Sequence, residues 1–158
     1  MVLRCYRRRK RCMGKINSRA KGAAAEREFC KELADHLGDT LTEPLKRNLE
    51  QTRKGGHDIV GLEGYAIEIK RYRRIKEGDI VRFWQQAVDQ AKRVEGTPVL
   101  AYREDFCSWR VRIPWGFMMD EKWDEDVDFT IEVSMKAFAS LVREQHIATQ
   151  LLADVTTS

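Results

Sequence analysis

The sequence lacks the apolar segments of membrane and secreted proteins. No apolar run approaches the roughly 20 residues that a transmembrane helix needs. No apolar stretch follows the basic N-terminus, as it would in a secretory signal. Metal-site spacing is also missing among the four cysteines, which are Cys5, Cys12, Cys30 and Cys107. We therefore expect a cytoplasmic protein with reduced thiols and no membrane partner.

Internal repeats and an interdomain linker are absent as well. The 158 residues, 42% of them hydrophobic and 34% charged, suffice for one domain with a buried core. We predict a basic flexible arm over residues 1–19, because the run Arg7–Arg11 repels itself, and a single domain over residues 20–158. Translation from Met13 instead of Met1 would remove most of the arm, and the sequence leaves both starts open.

Positive charge is unevenly distributed along the chain. Residues 1–22 carry nine Lys or Arg and no acid, and residues 46–93 carry twelve against seven acids. Residues 94–158 carry six against twelve acids, among them the acidic segment 120–126. Clustered positive charge favours binding to a nucleic-acid backbone, and the acidic segment should lie away from that backbone.

Two short strands at the centre of the chain carry polar residues in an otherwise apolar pattern. They are predicted over Asp58–Gly61 and Tyr65–Lys70, with Gly64 in the connecting loop. Glu68 and Lys70 are two residues apart in a strand, so their side chains share one face.

The length of the loop decides whether Asp58 joins that face. The three-residue loop Leu62–Gly64 places Asp58 directly opposite Glu68, and we predict this register or a bulge with the same effect. Two carboxylates about 5 Å apart repel each other, so a cation between them would explain the arrangement. Their oxygens suit Mg²⁺, with Mn²⁺ as a substitute, and Lys70 could stabilise charge on a phosphate. The alternative is an exposed strand face with a solvated Glu–Lys pair.

A third carboxylate is predicted on the first helix, Ala20–Leu37. At 100° per residue, Glu26 lies in the middle of the apolar face formed with Phe29, Cys30 and Leu33. A carboxylate among core residues is costly unless it is paired or binds metal. Glu26 is therefore a candidate metal ligand, and the alternative is a buried glutamate that forms a salt bridge to an arginine at the edge of the core.

These motifs resemble the core of the PD-(D/E)xK nucleases: Gly-x-Asp ending at Asp58, then Glu-x-Lys ending at Lys70. Upstream, Lys-Gly-x-x-x-Glu ending at Glu26 is similar to the opening of archaeal Holliday-junction resolvases and their phage relatives, and the resemblance spans residues 21–103. His57 stands where the superfamily pattern has proline. The resemblance implies an α/β, restriction-endonuclease-like fold with a mixed β-sheet flanked by helices. It also implies divalent metal and hydrolysis of DNA phosphodiesters.

The resemblance also implies roles for individual residues. Lys70 would be catalytic, and the metal ligands would be Asp58, Glu68 and Glu26. Related nucleases carry a Gln-Ala pair on the second helix, which points to Gln86 as a supporting catalytic residue. Gln85 flanks the buried stripe of this helix equally well; the predicted stripe is Ile80, Trp84, Ala87, Val88 and Ala91. A junction resolvase makes two symmetric cuts, so we expect a homodimer acting on branched duplex DNA in the host cytoplasm. Candidate dimer surfaces are residues 117–119 and the last helix.

Basic residues on both sides of the two strands are predicted DNA contacts, with Tyr72 as an aromatic neighbour. They are Arg53, Lys54, Arg71, Arg73, Arg74 and Lys76. The remaining predicted elements are a helix, a buried strand parallel to Tyr65–Lys70, two alternating strands and a last helix capped by Ser134. In chain order they are Asp79–Val94, Thr97–Tyr102, Trp109–Ile113, Asp128–Val133 and Met135–Leu152.

Three other functions stay open at this point. The same core serves restriction and replication endonucleases, so the fold does not fix the substrate. A non-catalytic DNA-binding module on a nuclease-like fold would need only the basic residues. RNA binding through the arm, with aromatic stacking, is supported by little beyond charge.

Overall fold

The computed structural model describes residues 18–49, 57–118 and 122–156. The helices in this part of the chain are α1 (Ser18–Leu37), α2 (Glu77–Val94) and α3 (Met135–Thr156). The strands are β1 (Lys46–Arg47), β2 (Ile59–Val60), β3 (Tyr65–Tyr72), β4 (Thr97–Glu104), β5 (Arg110–Pro114) and β6 (Thr130–Ser134). Short 3₁₀ helices cover Gly38–Thr40, Trp115–Met118 and Val127–Phe129. The arm up to residue 17 and the predicted DNA contacts Arg53 and Lys54 lie outside the described residues.

The main sheet has the strand order β3–β4–β5–β6. β3 and β4 run parallel, with Tyr65 opposite Thr97 and Tyr72 opposite Glu104, and the other two pairs are antiparallel. α2 forms the crossover that a parallel pair of strands requires. The predicted α/β class, with a mixed sheet flanked by helices, is confirmed, and so is the parallel pairing of the two central strands.

Alternate residues of the strands build two different faces of the sheet. Odd-numbered residues such as Ile67 and Ile69 pack with α1 and α3 in the larger hydrophobic cluster. Even-numbered residues such as Leu100 and Tyr102 pack against α2 in a smaller cluster. Within the described ranges, no helix is long and apolar enough to span a bilayer.

Side chains and backbone geometry fix where the helices begin and end. The Asp79 carboxylate accepts a hydrogen bond from the backbone N–H of Lys76 (3.0 Å) at the start of α2. The helix ends at Glu95, whose φ of 53° is left-handed. The Ser134 hydroxyl accepts from the N–H of Ala137 (3.1 Å), so the predicted cap of the last helix is confirmed.

The predicted hairpin between the two central strands is wrong in its pairing. β2 pairs with β1, with Arg47 opposite Ile59, and not with β3. Gly61 (φ 100°) brings the chain so close to the backbone of Pro44 that a Cβ would lie 2.6 Å from its carbonyl oxygen. Gly64 (φ 83°) supplies the predicted left-handed turn before β3. β2 is therefore paired with β1, and Asp58, the residue before β2, hydrogen-bonds to the backbone of β3.

Candidate active site

Glu68 and Lys70 lie on the face of β3 that α2 covers. Lys70 Nζ forms an ion pair with one oxygen of Glu68 and lies 5.5 Å from the centroid of the Phe83 ring. Glu68 is only 4% exposed, so it differs from the solvated strand face that was the alternative interpretation. A buried carboxylate needs a partner charge, and Lys70 provides it here.

Asp58 approaches β3 from the open edge of the sheet. Its N–H donates to the carbonyl of Ile67 (2.9 Å), and its carboxylate accepts from the N–H of Ile69 (2.6 Å). These two bonds bracket Glu68 along the strand, so Asp58 lies opposite Glu68 although β2 and β3 form no ladder. Asp58 is 5% exposed, and with Glu68 it makes up the buried charged residues in the described part of the chain.

Glu26 projects from α1 next to the core residues Ala25 and Phe29. Its side chain is 13% exposed and forms an ion pair with Arg47 of β1. This salt bridge is the arrangement named above as the alternative to a metal ligand. The geometry thus shows a shielded carboxylate with a cationic partner, and a metal role for Glu26 stays a prediction.

The pKa of the Cys30 thiol reflects the burial and the charges around it. Burial, together with the nearby negative charges of Glu26 and Asp58, raises the pKa of its thiol to about 11. At neutral pH the thiol is therefore protonated and is a poor nucleophile. The nearby carboxylates thus disfavour a thiolate at Cys30.

The glutamine that reaches the site is Gln90. Its side-chain amide donates to Glu68 (2.5 Å), and its amide oxygen is buried without a hydrogen-bond partner. Gln86, the residue chosen from the sequence, is exposed on α2. Around the helix, Gln90 lies about 20° from the buried Phe83 and Gln86 about 60° from it, which explains why only Gln90 turns toward the sheet.

The carboxylates around β3 are the hard oxygen donors that Mg²⁺ prefers. Glu68 and Asp58 are shielded from water and lie opposite one another across the edge of the strand. Over residues 18–49, 57–118 and 122–156, no group of three or more His, Cys, Asp or Glu side chains is drawn together as a metal site. Instead, Glu68 pairs with Lys70 and Glu26 pairs with Arg47.

Comparison with known proteins decides the family. Residues 17–153 match the family described as "Phage putative PDDEXK endonuclease". The chain belongs to this family. No curated protein and no solved structure gives a significant match. The matched region contains the whole of the described fold up to most of α3, and with it all the candidate site residues.

The basic residues of this PDDEXK protein fall into two groups. Arg71 is held by two acidic partners, since it donates to Asp105 (3.0 Å) and to Glu28 (3.3 Å). The structure therefore does not present Arg71 as a free DNA contact. The basic residues that follow Tyr72 are exposed and stay candidates for phosphate contacts; they are Arg73, Arg74 and Lys76.

Glu125 of the acidic segment packs on the far flank of α2. The backbone carbonyl of Glu125 accepts from the Trp84 indole (2.9 Å), and its carboxylate pairs with Lys92 (2.6 Å). Trp84 and Lys92 lie at least about 100° around the helix from Phe83 and Gln90, which face Glu68 and Lys70. The helix thus separates this acidic residue from the candidate active site.

Sequence reasoning missed two residues of the site, Gln90 and Arg47. Gln90 could have been found from the helical wheel, on which it lies beside Phe83. The predicted buried stripe did not include Phe83, so this signal was not used. Arg47 had none, because its contact with Glu26 depends on a two-residue strand between distant segments.

Proposed function

We propose that this PDDEXK endonuclease is a Mg²⁺-dependent, structure-selective DNA nuclease resembling a Holliday-junction resolvase. The observation that carries the proposal is the convergence of Asp58 on the Glu68-x-Lys70 strand within a chain of this family. Two shielded carboxylates and a lysine at one strand edge are expensive to bury, and a reaction that uses them explains their presence.

Asp58 and Glu68 would hold the metal ion, and Mn²⁺ would substitute for Mg²⁺ because it has the same preference for oxygen. Glu26 would join them directly or through water once Arg47 turns toward the DNA. A bound divalent ion lowers the pKa of water and polarises the scissile phosphate. Gln90 keeps the Glu68 carboxylate in place through its hydrogen bond.

Lys70 is the residue whose role changes when the carboxylates bind a cation. Its ammonium group pairs with Glu68, and its side chain is 19% exposed. Release from Glu68 would leave the charge free to hold the attacking water and to stabilise negative charge on the phosphate. The ring of Phe83, 5.5 Å from Nζ, limits how far the ammonium group can move.

The proposed substrate is a branched duplex, cut by a homodimer in the host cytoplasm. Two symmetric cuts need two copies of the site, and this supports the dimer. Apolar side chains on the second half of α3 are exposed and could form its interface; they are Ile147, Leu151, Leu152 and Val155. Of the other candidate surface, residues 117–119, Phe117 is buried and Met119 lies outside the described residues.

A second candidate is a DNA-binding module without catalysis. The observation that favours it is the pairing of Glu68 with Lys70 and of Glu26 with Arg47, which satisfies these charges without metal. The basic residues after Tyr72 would suffice for this function.

The test is cleavage of a four-way junction, a fork, a linear duplex and a single strand, with Mg²⁺ and with chelator. Glu68→Gln is the inactivating variant, and Glu63→Gln, an exposed acid in the loop before β3, is the matched control. We expect symmetric nicks in the junction that disappear with chelator and with Glu68→Gln only. Cleavage of every duplex would keep the nuclease and remove the junction preference. Binding without cleavage in Mg²⁺ or Mn²⁺ would establish the second candidate.

A further inference from the structure

The turn between β4 and β5 presents an aromatic residue in an unfavourable conformation. Phe106 is 92% exposed, and its φ of 68° lies in the left-handed region. Glycine, asparagine and aspartate are the residues that turns normally use at such a position. A bulky apolar side chain that is both exposed and sterically disfavoured points to a function rather than to folding.

Hydrogen bonds within and beside the turn hold it in this geometry. The N–H of Cys107 donates to the carbonyl of Glu104 (3.1 Å), and the Glu104 carboxylate accepts from the N–H of Ile75 (2.9 Å). Asp105, which precedes Phe106, accepts from Lys21 (2.7 Å) and Arg71 (3.0 Å). Phe106 therefore projects from an anchored base.

The turn lies at the same end of the sheet as the candidate catalytic residues. The N–H of Asp105 donates to the carbonyl of Tyr72 (2.9 Å), which is two residues after Lys70, or about 7 Å along the strand. Tyr72 is itself 45% exposed and stacks on Phe83 with the rings 5.2 Å apart. Two exposed aromatic side chains thus flank the end of β3, next to the exposed basic residues 73 and 74.

We propose that Phe106 is a wedge that inserts between stacked bases of bound DNA, with Tyr72 as the surface on which the displaced base stacks. Apolar side chains inserted at a base step unstack it, and base–aromatic stacking then stabilises the opened form. The free energy of unstacking a base is lowest where the DNA duplex is already interrupted. The wedge therefore selects branch points and other discontinuities of the duplex. The inference rests on the proposed function for the position of the scissile phosphate, and it supplies a physical origin for the selectivity.

The experiment places 2-aminopurine, whose fluorescence rises on unstacking, at the branch point of a four-way junction and at the centre of a linear duplex. Ca²⁺ replaces Mg²⁺ so that binding is measured without rapid cleavage. Phe106→Gly removes the wedge and suits the left-handed backbone, so the variant folds. Trp115→Ala is the matched control, because Trp115 is 70% exposed and follows β5 at the opposite end of the sheet.

We expect the unaltered protein and Trp115→Ala to raise the fluorescence of the junction probe and to bind the junction more tightly than the duplex. Phe106→Gly should lose the fluorescence rise, and its junction-to-duplex affinity ratio should fall on the order of tenfold. Tyr72→Leu, which still covers Phe83, should reduce the ratio by less.

Retention of the fluorescence rise and of the affinity ratio in Phe106→Gly would overturn the wedge. The wedge would also be overturned if Trp115→Ala lowered the junction-to-duplex affinity ratio as much as Phe106→Gly does. The two proposals fail separately: cleavage that is lost only in Glu68→Gln together with an unchanged ratio in Phe106→Gly rejects the wedge alone. A Phe106-dependent fluorescence rise without cleavage in Mg²⁺ rejects the nuclease alone.

Discussion

The two faces of the sheet differ in composition although the same strands build them. The face toward α1 and α3 is a continuous apolar cluster that includes Ile67 and Ile69. The face toward α2 has a smaller apolar cluster and, on β3, the ion pair of Glu68 with Lys70. Strand β3 therefore carries core residues and candidate catalytic residues at alternate positions.

The difference between the two faces explains how the fold tolerates buried charged side chains. Burial of apolar area on one face contributes most of the stability, so the other face can keep a carboxylate that is only 4% exposed. The alternation of a strand separates the two roles with no extra chain. If this interpretation is correct, neighbouring residues of β3 will respond to substitution in opposite ways.

The largest expected effect is on activity. Glu68→Gln should lower the cleavage rate by about a thousandfold, or about 4 kcal/mol in activation free energy, because a proposed metal ligand is lost. The free energy of unfolding should change by less than about 1 kcal/mol, since the neutral amide still bonds to Gln90 and Lys70 can reach water. Cleavage assays and urea denaturation of the same samples measure both. If Glu68→Gln lost stability but its folded fraction cleaved at the normal rate, Glu68 would be a structural residue and the proposed difference between the two faces would be wrong.

The adjacent residue should show the reverse. Ile67→Ala should lower the free energy of unfolding by about 3 kcal/mol, because Ile67 is 1% exposed within the larger cluster. The cleavage rate per folded molecule should stay near that of the unaltered protein. Urea denaturation gives the first quantity, and rates measured well below the denaturation midpoint give the second. Activity loss without loss of stability would place catalytic function on the apolar face as well.

Substitutions of Gln90 and Gln86 test how far the proposed catalytic site extends along α2. Gln90→Ala should lower the cleavage rate by about 10- to 100-fold, the usual cost of losing a residue that orients a metal ligand. Gln86→Ala, one turn earlier on the exposed side of α2, is the matched control and should leave the rate unchanged. The reverse result, with Gln86 sensitive and Gln90 tolerant, would support the position that the sequence resemblance chose.

The sequence predicted the fold well where local patterns decide it. The helical pattern placed α1 within two residues of its start, Ser18, and the parallel pairing of β3 with β4 followed from the intervening helix. The predicted end of the last helix, Leu152, fell four residues before the observed Thr156, because its apolar period weakens while helical hydrogen bonds continue.

The features that the sequence did not predict depend on contacts between residues that are distant along the chain. The partner of β2 is a two-residue strand upstream of it along the chain, with Arg47 and Ile59, the closer pair, 12 positions apart, and neither strand has a pattern of its own. The proximity of Asp58 to Glu68 still emerges, because two hydrogen bonds to β3 replace the expected ladder. The ion pairs of Arg71 were not predicted, because its acidic partners, Glu28 and Asp105, are remote in sequence, and its role as a DNA contact stays a prediction.

The ion pairs at the edge of the apolar face give the smallest predicted effect. Burial acts to raise the pKa of Asp105, but hydrogen bonds and charges from Lys21 and Arg71 outweigh it and hold the pKa below its ordinary value. Because the folded pKa is lowered, this carboxylate stabilises the protein above its unfolded pKa of about 4, and the contribution is lost as pH falls through the folded value. We expect Asp105→Asn to be about 1 kcal/mol less stable than the unaltered protein at pH 7, and the gap should narrow as the pH falls below the unfolded pKa. Urea denaturation from pH 7 to pH 3 measures the gap, and the difference between the two proteins cancels the titration of other acids. A gap that is constant with pH would mean that packing, not charge, is what Asp105 contributes on this face.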